Sequence, residues 1–246
     1  MKSLEICFSP ELIHLHDLEG KIVVVVDIFR ATSTMVTALA NGVKSIKPVE
    51  DLESCRLLAD HDYIIAGERN GQLAVGFELG NSPLSYLEGA YEGKRIAMTT
   101  TNGTVAIERS KKRAEEVLIG AFLNLQATAT YLDQKNRPVL IFCAGWKGKF
   151  NLEDSLYAGA LASMLQFPYD CDGTLAMETL YKQVKDDLVD FLKKASHAKR
   201  LQNYNIEEDI DFCLTRDKYD LVAKLVGEEI IAKKIPTKNK SGRDFN

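Results

Sequence analysis

Cysteine is scarce and poorly placed for pairing. Five residues, at 7, 55, 143, 171 and 213, form an odd set with wide spacings and no Cys-x-x-Cys. This excludes a disulfide framework or a ribbon-type zinc site and predicts reduced thiols in a cytoplasmic protein, most of them buried as small apolar residues. Proline is also sparse, with six in 246 residues, and no Pro/Gly-rich linker divides the chain. Apolar runs such as Ile22–Val26 fall far short of the roughly 20 residues a membrane span needs, so no membrane association is expected. Met1 to Pro10 carries Glu5 and no long apolar stretch, which does not read as a signal peptide. A basic surplus is missing too: 31 Lys and Arg face 35 Asp and Glu, for a net charge of -4, which argues against a nucleic-acid partner. No Walker A, GxGxxG, HExxH or GxSxG motif occurs, and no period of 20–50 residues repeats. The four histidines, at 14, 16, 61 and 197, show no zinc-ligand spacing.

What is present is an alternation of short apolar runs with helical patterns. The β-branched run Ile22–Val26 has the composition of a strand covered on both faces. Further strands are predicted over 45–49, 63–66, 95–99, 117–121 and 139–143, with helices over 31–40, 52–59 and 152–165. This order predicts an α/β fold: a layered α/β/α arrangement around a mixed sheet of six or more strands. Apolar residues at 180, 184, 188, 191 and 192 predict a helix within 175–195, and 206–214 and 221–231 also read as helical, giving a helix-rich C-terminal part. The expected organisation is a single domain over 1–232 and a polar, fraying tail over 233–246. The oligomeric state stays open, and a homo-oligomer is compatible with the sequence.

Ligands of open α/β sheets bind beyond the carboxyl ends of the strands. Four predicted strand ends carry polar chemistry. The first is followed by Asp27, Arg30, Thr32 and Ser33, the third by Glu68 and Arg69, the fourth by Thr101, Asn102, Gly103 and Thr104, and the sixth by Glu153 and Asp154 after Cys143. Asn81 and Ser82 precede Pro83 in a further turn. Each residue also has a structural reading, as a cap, a turn residue or a surface arginine. Cys143 reads as a pocket-lining residue rather than a nucleophile, because a cysteine-phosphatase loop wants Arg where Lys149 stands. Together the set offers carboxylates for a hard cation such as Mg²⁺, arginines for an anion, and hydroxyls with backbone N–H groups for phosphate. Metal-assisted hydrolysis of a small anionic phosphate ester fits it best.

The segments Val25-Val-Asp-Ile-Phe-Arg-Ala-Thr-Ser-Thr34, Ala66-Gly-Glu-Arg-Asn70, Leu79-Gly-Asn-Ser-Pro83, Thr99-Thr-Thr-Asn-Gly-Thr104 and Leu152-Glu-Asp154 resemble the 2-phosphosulfolactate phosphatase family, as do Glu207–Cys213 and Lys218-Tyr-Asp220. The resemblance implies a cytoplasmic, Mg²⁺-dependent phosphatase with a fold particular to that family. The enzyme would split 2-phospho-3-sulfolactate into 3-sulfolactate and phosphate, a step of coenzyme M biosynthesis in methanogens. The alternatives are a phosphatase for another phosphorylated 2-hydroxy acid and a non-catalytic anion-binding protein. Expected metal ligands are Asp27 and Glu68, with Glu153 or Asp154 as a third. Arg30 and Arg69 are expected to clamp the anions. Thr32, Ser33, Asn81, Ser82, Thr101, Asn102, Gly103, Thr104, Cys143 and Lys149 are expected to bind substrate. Family members often carry Cys-Ala-Gly-Arg after the sixth strand. This chain has Trp146 after Cys143-Ala-Gly145, so Lys147 or Lys149 would have to supply that cation.

Overall fold

The structure, a computed structural model, describes residues 2–202 and 206–234. Its elements are β1 (Leu4–Cys7), β2 (Ile22–Val26), α1 (Ala31–Ala40), β3 (Ser45–Pro48), α2 (Leu52–Leu57), β4 (Tyr63–Arg69), β5 (Gln72–Leu73), β6 (Arg95–Thr99), α3 (Gly103–Lys111), β7 (Glu116–Gly120), α4 (Leu125–Lys135) and β8 (Val139–Cys143). They are followed by α5 (Leu152–Leu165), α6 (Asp172–Val184), α7 (Leu188–Lys193), α8 (Ser196–Gln202), α9 (Glu207–Cys213), β9 (Leu221–Val226) and β10 (Glu229–Lys234). Short 3-10 turns at Pro10–Leu15 and Pro83–Gly89 begin with proline, whose missing N–H costs nothing at a first turn.

The sheet has ten strands in the order β1-β8-β2-β7-β9-β10-β3-β6-β4-β5. One parallel block, β1-β8-β2-β7, and a second, β3-β6-β4, are joined by the antiparallel hairpin β9–β10. Across these pairings the two blocks run in opposite senses. Twist accumulated over so many strands curls the sheet, and the carboxyl ends of the blocks meet. Arg30, beyond β2, donates to the Gly71 carbonyl beyond β4 at 3.0 Å, and Asn102 Oδ1, beyond β6, accepts from the Lys147 N–H beyond β8 at 3.0 Å.

Strand alternation sorts the core. In β2, Val23 and Val25 turn to a cluster that includes Met35, Val36 and Leu39 of α1 together with Ile46, Ile96 and Met98. Helix α1 is buried from Ala31 to Leu39, as a helix gripped by a curled sheet must be. Ile22, Val24 and Val26 turn to the opposite cluster, covered by residues of α4, α5 and the C-terminal helices. Residues of α2 and the outer face of the second block form a third cluster, with Cys55, Ile65 and Ala97. The fold is therefore layered α/β/α, as expected, and no helix among the described residues is long and apolar enough to cross a membrane.

The segment read as a helix over 221–231 is the β9–β10 hairpin. Val226 pairs with Glu229 across a two-residue turn, and Gly227 sits at φ +60°. A glycine in the first turn position favours a hairpin twist and would weaken a helix interior. The C-terminal part is thus not wholly a helical layer, since it supplies the two strands that bridge the sheet. The helix expected within 175–195 is split into α6 and α7. Strands β1, β5 and helices α3 and α4 had no predicted counterpart. Lys233 and Lys234, assigned to the tail, continue β10, and 235–246 lie outside the described residues.

Candidate active site

The converging strand ends frame a narrow pocket lined by Asp27, Phe29, Arg30, Glu68, Gly71, Asn81, Asn102, Trp146, His197 and Leu201. Both α1 and α3 begin here, with Arg30 and Asn102 at their N-cap positions. Two helix N-termini therefore aim partial positive charge at one place. Gly103 makes this approach possible. A Cβ there would stand 2.9 Å from Asp27 Oδ2 and 2.8 Å from the Ala31 Cβ.

The Asp27 loop is braced from several sides. Its backbone N–H donates to Thr32 Oγ1 at 3.0 Å, and Ser33 Oγ donates to the Ile28 carbonyl at 2.9 Å. Thr32 and Ser33, expected to bind substrate, instead hold the backbone that presents Asp27. Burial pushes the Asp27 carboxyl up to about 7, His197 opposes this, and Glu68 and Glu153 push it further. Arg30 is buried, with Nη1 donating to Asp209 Oδ2 and Nη2 to the Gly71 carbonyl at 3.0 Å. Asp209, on α9, accepts from Ser82 Oγ on its other oxygen at 2.6 Å. Ser82 thus acts on Arg30 through Asp209, and it lines the adjoining cleft that shares Arg30, Gly71 and Asn81 with the pocket.

Glu68 lines the pocket and accepts from the Gly71 N–H, from the Thr101 N–H at 3.1 Å and from Thr101 Oγ1 at 3.1 Å. Arg69, one residue on, lies on the other face of β4. Its guanidinium donates to Thr99 Oγ1 at 3.0 Å and to the Glu68 carbonyl at 2.6 Å, and it does not line the pocket. Alternation along a strand separates the two predicted partners. Asn81 Oδ1 is buried with no hydrogen-bond partner among the described residues. Thr104 exchanges hydrogen bonds with Thr100 at the start of α3 and faces inward.

Three further expectations need correction. Cys143 is fully buried among apolar residues, and burial pushes its thiol well up, so it neither lines the pocket nor serves as a ready nucleophile. Lys149 is exposed in the turn that returns to Trp146 and does not reach the pocket wall. Asp154 is spent internally, with Oδ1 accepting from the Ile28 N–H at 2.8 Å and Oδ2 from the Gly145 N–H at 3.1 Å and Asn151 Nδ2 at 2.9 Å. Burial pushes its carboxyl well up, and the charges of Asp27 and Glu153 add to this. Glu153 is equally buried, with Oε1 taken by His197 Nδ1 and by Asn151 Nδ2 at 3.0 Å. Both Asp154 oxygens and Glu153 Oε1 are thus engaged by protein groups, while Glu153 Oε2 has no partner among the described residues.

No group of three or more His, Cys, Asp or Glu side chains gathers as a metal cage among the described residues. Mg²⁺ needs less, since it keeps water and binds through one or two carboxylates plus substrate phosphate. Asp27 and Glu68, with the unpartnered Asn81 Oδ1 beside them, are an oxygen donor set of that kind.

His197 and Trp146 complete the wall, with Arg200 packed on Trp146. The His197 and Trp146 rings lie 4.8 Å apart, and the Arg200 guanidinium stands 5.1 Å from the Trp146 ring. The sequence reading missed His197 and Arg200. One signal existed: His197 precedes the buried Leu201 by one helical turn, which puts it on the inward face of α8. Asp209 was inside a recognised segment but had no assigned role.

The family described as 2-phosphosulpholactate phosphatase matches residues 7–228. A protein of Thermotoga petrophila named probable 2-phosphosulfolactate phosphatase is 43% identical over 219 residues, covering 89% of this chain and 95% of the relative. Proteins of the same name from Caldanaerobacter subterraneus and Clostridium perfringens are 45% and 34% identical. They cover 85% and 92% of this chain, and 89% and 95% of the relatives.

Proposed function

The chain belongs to the 2-phosphosulfolactate phosphatase family, and from that footing we propose that it is a phosphoric monoester hydrolase acting on 2-phospho-3-sulfolactate with Mg²⁺. The observation that carries this reading is the crowding at Asp27. A buried carboxyl raised to about 7 by desolvation and by neighbouring carboxylates faces two helix N-termini and an arginine. Carboxylates and a phosphate dianion repel, so a pocket holding both calls for a cation between them.

Asp27 and Glu68 would hold the Mg²⁺, which supplies charge neutralisation at phosphoryl oxygens when bound. The Arg30 fork, fixed by Asp209 and Gly71, is preorganised for the equatorial oxygens, whose charge persists in a loose transition state. The N-terminus of α3, from Asn102, adds the positive end of a helix dipole. For the second anion of the substrate, the candidate cations are Arg200 and Lys147, which both stack on the pocket-lining Trp146. Arg200 Nε is buried and without a partner among the described residues. That pair replaces the arginine expected at position 146.

The test is phosphate release from 2-phosphosulfolactate, 2-phospholactate and phosphoglycolate, with Mg²⁺ and with EDTA. The reading expects Mg²⁺-dependent release that is fastest with the sulfonate. Equal rates across the panel would support a general phosphatase for phosphorylated 2-hydroxy acids. No release from folded, Mg²⁺-supplied protein would support a non-catalytic anion binder.

A further inference from the structure

One side of the pocket carries a histidine that has no part in the phosphatase reading so far. Helix α8 brings His197 against it, 3% exposed, with Nδ1 bonded to Glu153 Oε1. Trp146 and Phe29 flank the ring, at 4.8 Å and 6.3 Å between centroids. Nε2 bonds to nothing among the described residues. Glu153 is itself fixed by Asn151, and its Oε2 has no partner among the described residues.

We propose that His197 is a catalytic residue, the general acid that protonates the oxygen leaving phosphorus, and that Glu153 is the positioning residue that orients its ring. The inference rests on the phosphatase reading above and assigns the step which that reading leaves open. The alkoxide of a 2-hydroxy acid is a poor leaving group unless it receives a proton. Of the other polar groups lining the pocket, Arg30 does not give up its proton, the two asparagines do not titrate, and Asp27 and Glu68 are the carboxylates that would hold the cation. A carboxylate on Nδ1 fixes the ring and turns Nε2 to the open side. In the step, the ester P–O bond breaks and a P–O bond to water forms. The Nε2 proton passes to the leaving oxygen, which departs as a hydroxyl, and the proton lost by the water restores the imidazolium through solvent.

The test compares His197→Gln and Glu153→Gln with wild type on two esters. One is 2-phosphosulfolactate, which must release an alkoxide. The other is 4-nitrophenyl phosphate, whose phenolate leaves without a proton. General-acid loss in His197→Gln lowers kcat on the alkyl ester by about 10²–10⁴-fold and on the aryl ester by less than about tenfold. Glu153→Gln gives the same split at smaller size, whereas a purely structural role lowers both esters together. Equal losses on the two esters, or full alkyl turnover by folded His197→Gln, overturn the assignment. If His197→Gln fails to fold by circular dichroism, the Glu153→Gln split decides, and its absence overturns the assignment. Wild-type protein that releases phosphate from neither ester overturns the phosphatase reading and this inference with it. An active wild type without the split overturns this inference alone.

Discussion

The pocket is built from two regions that contribute differently. The strand ends, with Asp27 and Glu68, form an acidic floor whose carboxyls are held by backbone N–H groups, hydroxyls and burial. The C-terminal helices form a lid. From α8 and α9 come His197 and Asp209, and each meets a partner of opposite function on the floor side, Glu153 and Arg30. The floor supplies acceptors, and the lid fixes the groups that donate. A site divided this way depends on the last third of the chain even though its charges follow the strands.

The largest effect that sharpens this division is expected from Arg30. Arg30→Ala removes a donor shared by floor and lid, and kcat falls by about 10²–10³-fold while the fold persists, as steady-state kinetics on purified variant would show. Asp209→Asn tests the lid alone. It leaves a buried guanidinium without its counter-charge, at a cost of about 3–5 kcal/mol. A lowered melting temperature and a raised KM are expected, and a wild-type melting curve would break the comparison. Gly103→Ala tests the floor. The added Cβ crowds Asp27 and Ala31, and overpacking of this kind costs about 1–3 kcal/mol, with turnover falling further than stability alone requires. Arg69→Ala gives a smaller effect, because its guanidinium braces Thr99 away from the pocket and one hydrogen bond is worth about 1 kcal/mol. Turnover within about tenfold of wild type is expected, set by that 1 kcal/mol. Lys149→Ala closes the series, with stability within about 0.5 kcal/mol of wild type and unchanged kinetics.

Much of the floor was legible in sequence. The run Ile22–Val26 announced a strand covered on both faces, and the polar residues after it marked the pocket before any geometry was known. What was not legible is orientation and pairing. Glu68 and Arg69 are neighbours in sequence but point to opposite faces of β4. Thr32, Ser33 and Thr104 have the right chemistry for a phosphate cradle, yet their hydroxyls satisfy nearby backbone groups. Glu153 and Asp154 open a helix beside the pocket, but three of their four oxygens are engaged by His197, Asn151 and loop N–H groups. The β9–β10 hairpin failed for a different reason. Its apolar spacing fits a helix in isolation, and only the gap between the two parallel blocks selects the strand. His197 lies 44 residues from Glu153, so only the packing of α8 against the start of α5 reveals that dyad.

Asp27→Asn tests the central claim most directly, with turnover and melting measured on the same sample. The Asp27 carboxyl is raised from 3.8 to about 7, so over that window the folded chain holds a proton that the unfolded chain releases. Stability therefore falls as pH rises through the window and stays reduced above it, in the absence of a bound cation. Asparagine removes that penalty. The account predicts that Asp27→Asn melts no lower than wild type at pH 8 in EDTA, while Mg²⁺-supplied phosphate release falls at least about 10²-fold. Wild-type turnover by a folded Asp27→Asn would contradict it and place the chemistry outside this pocket.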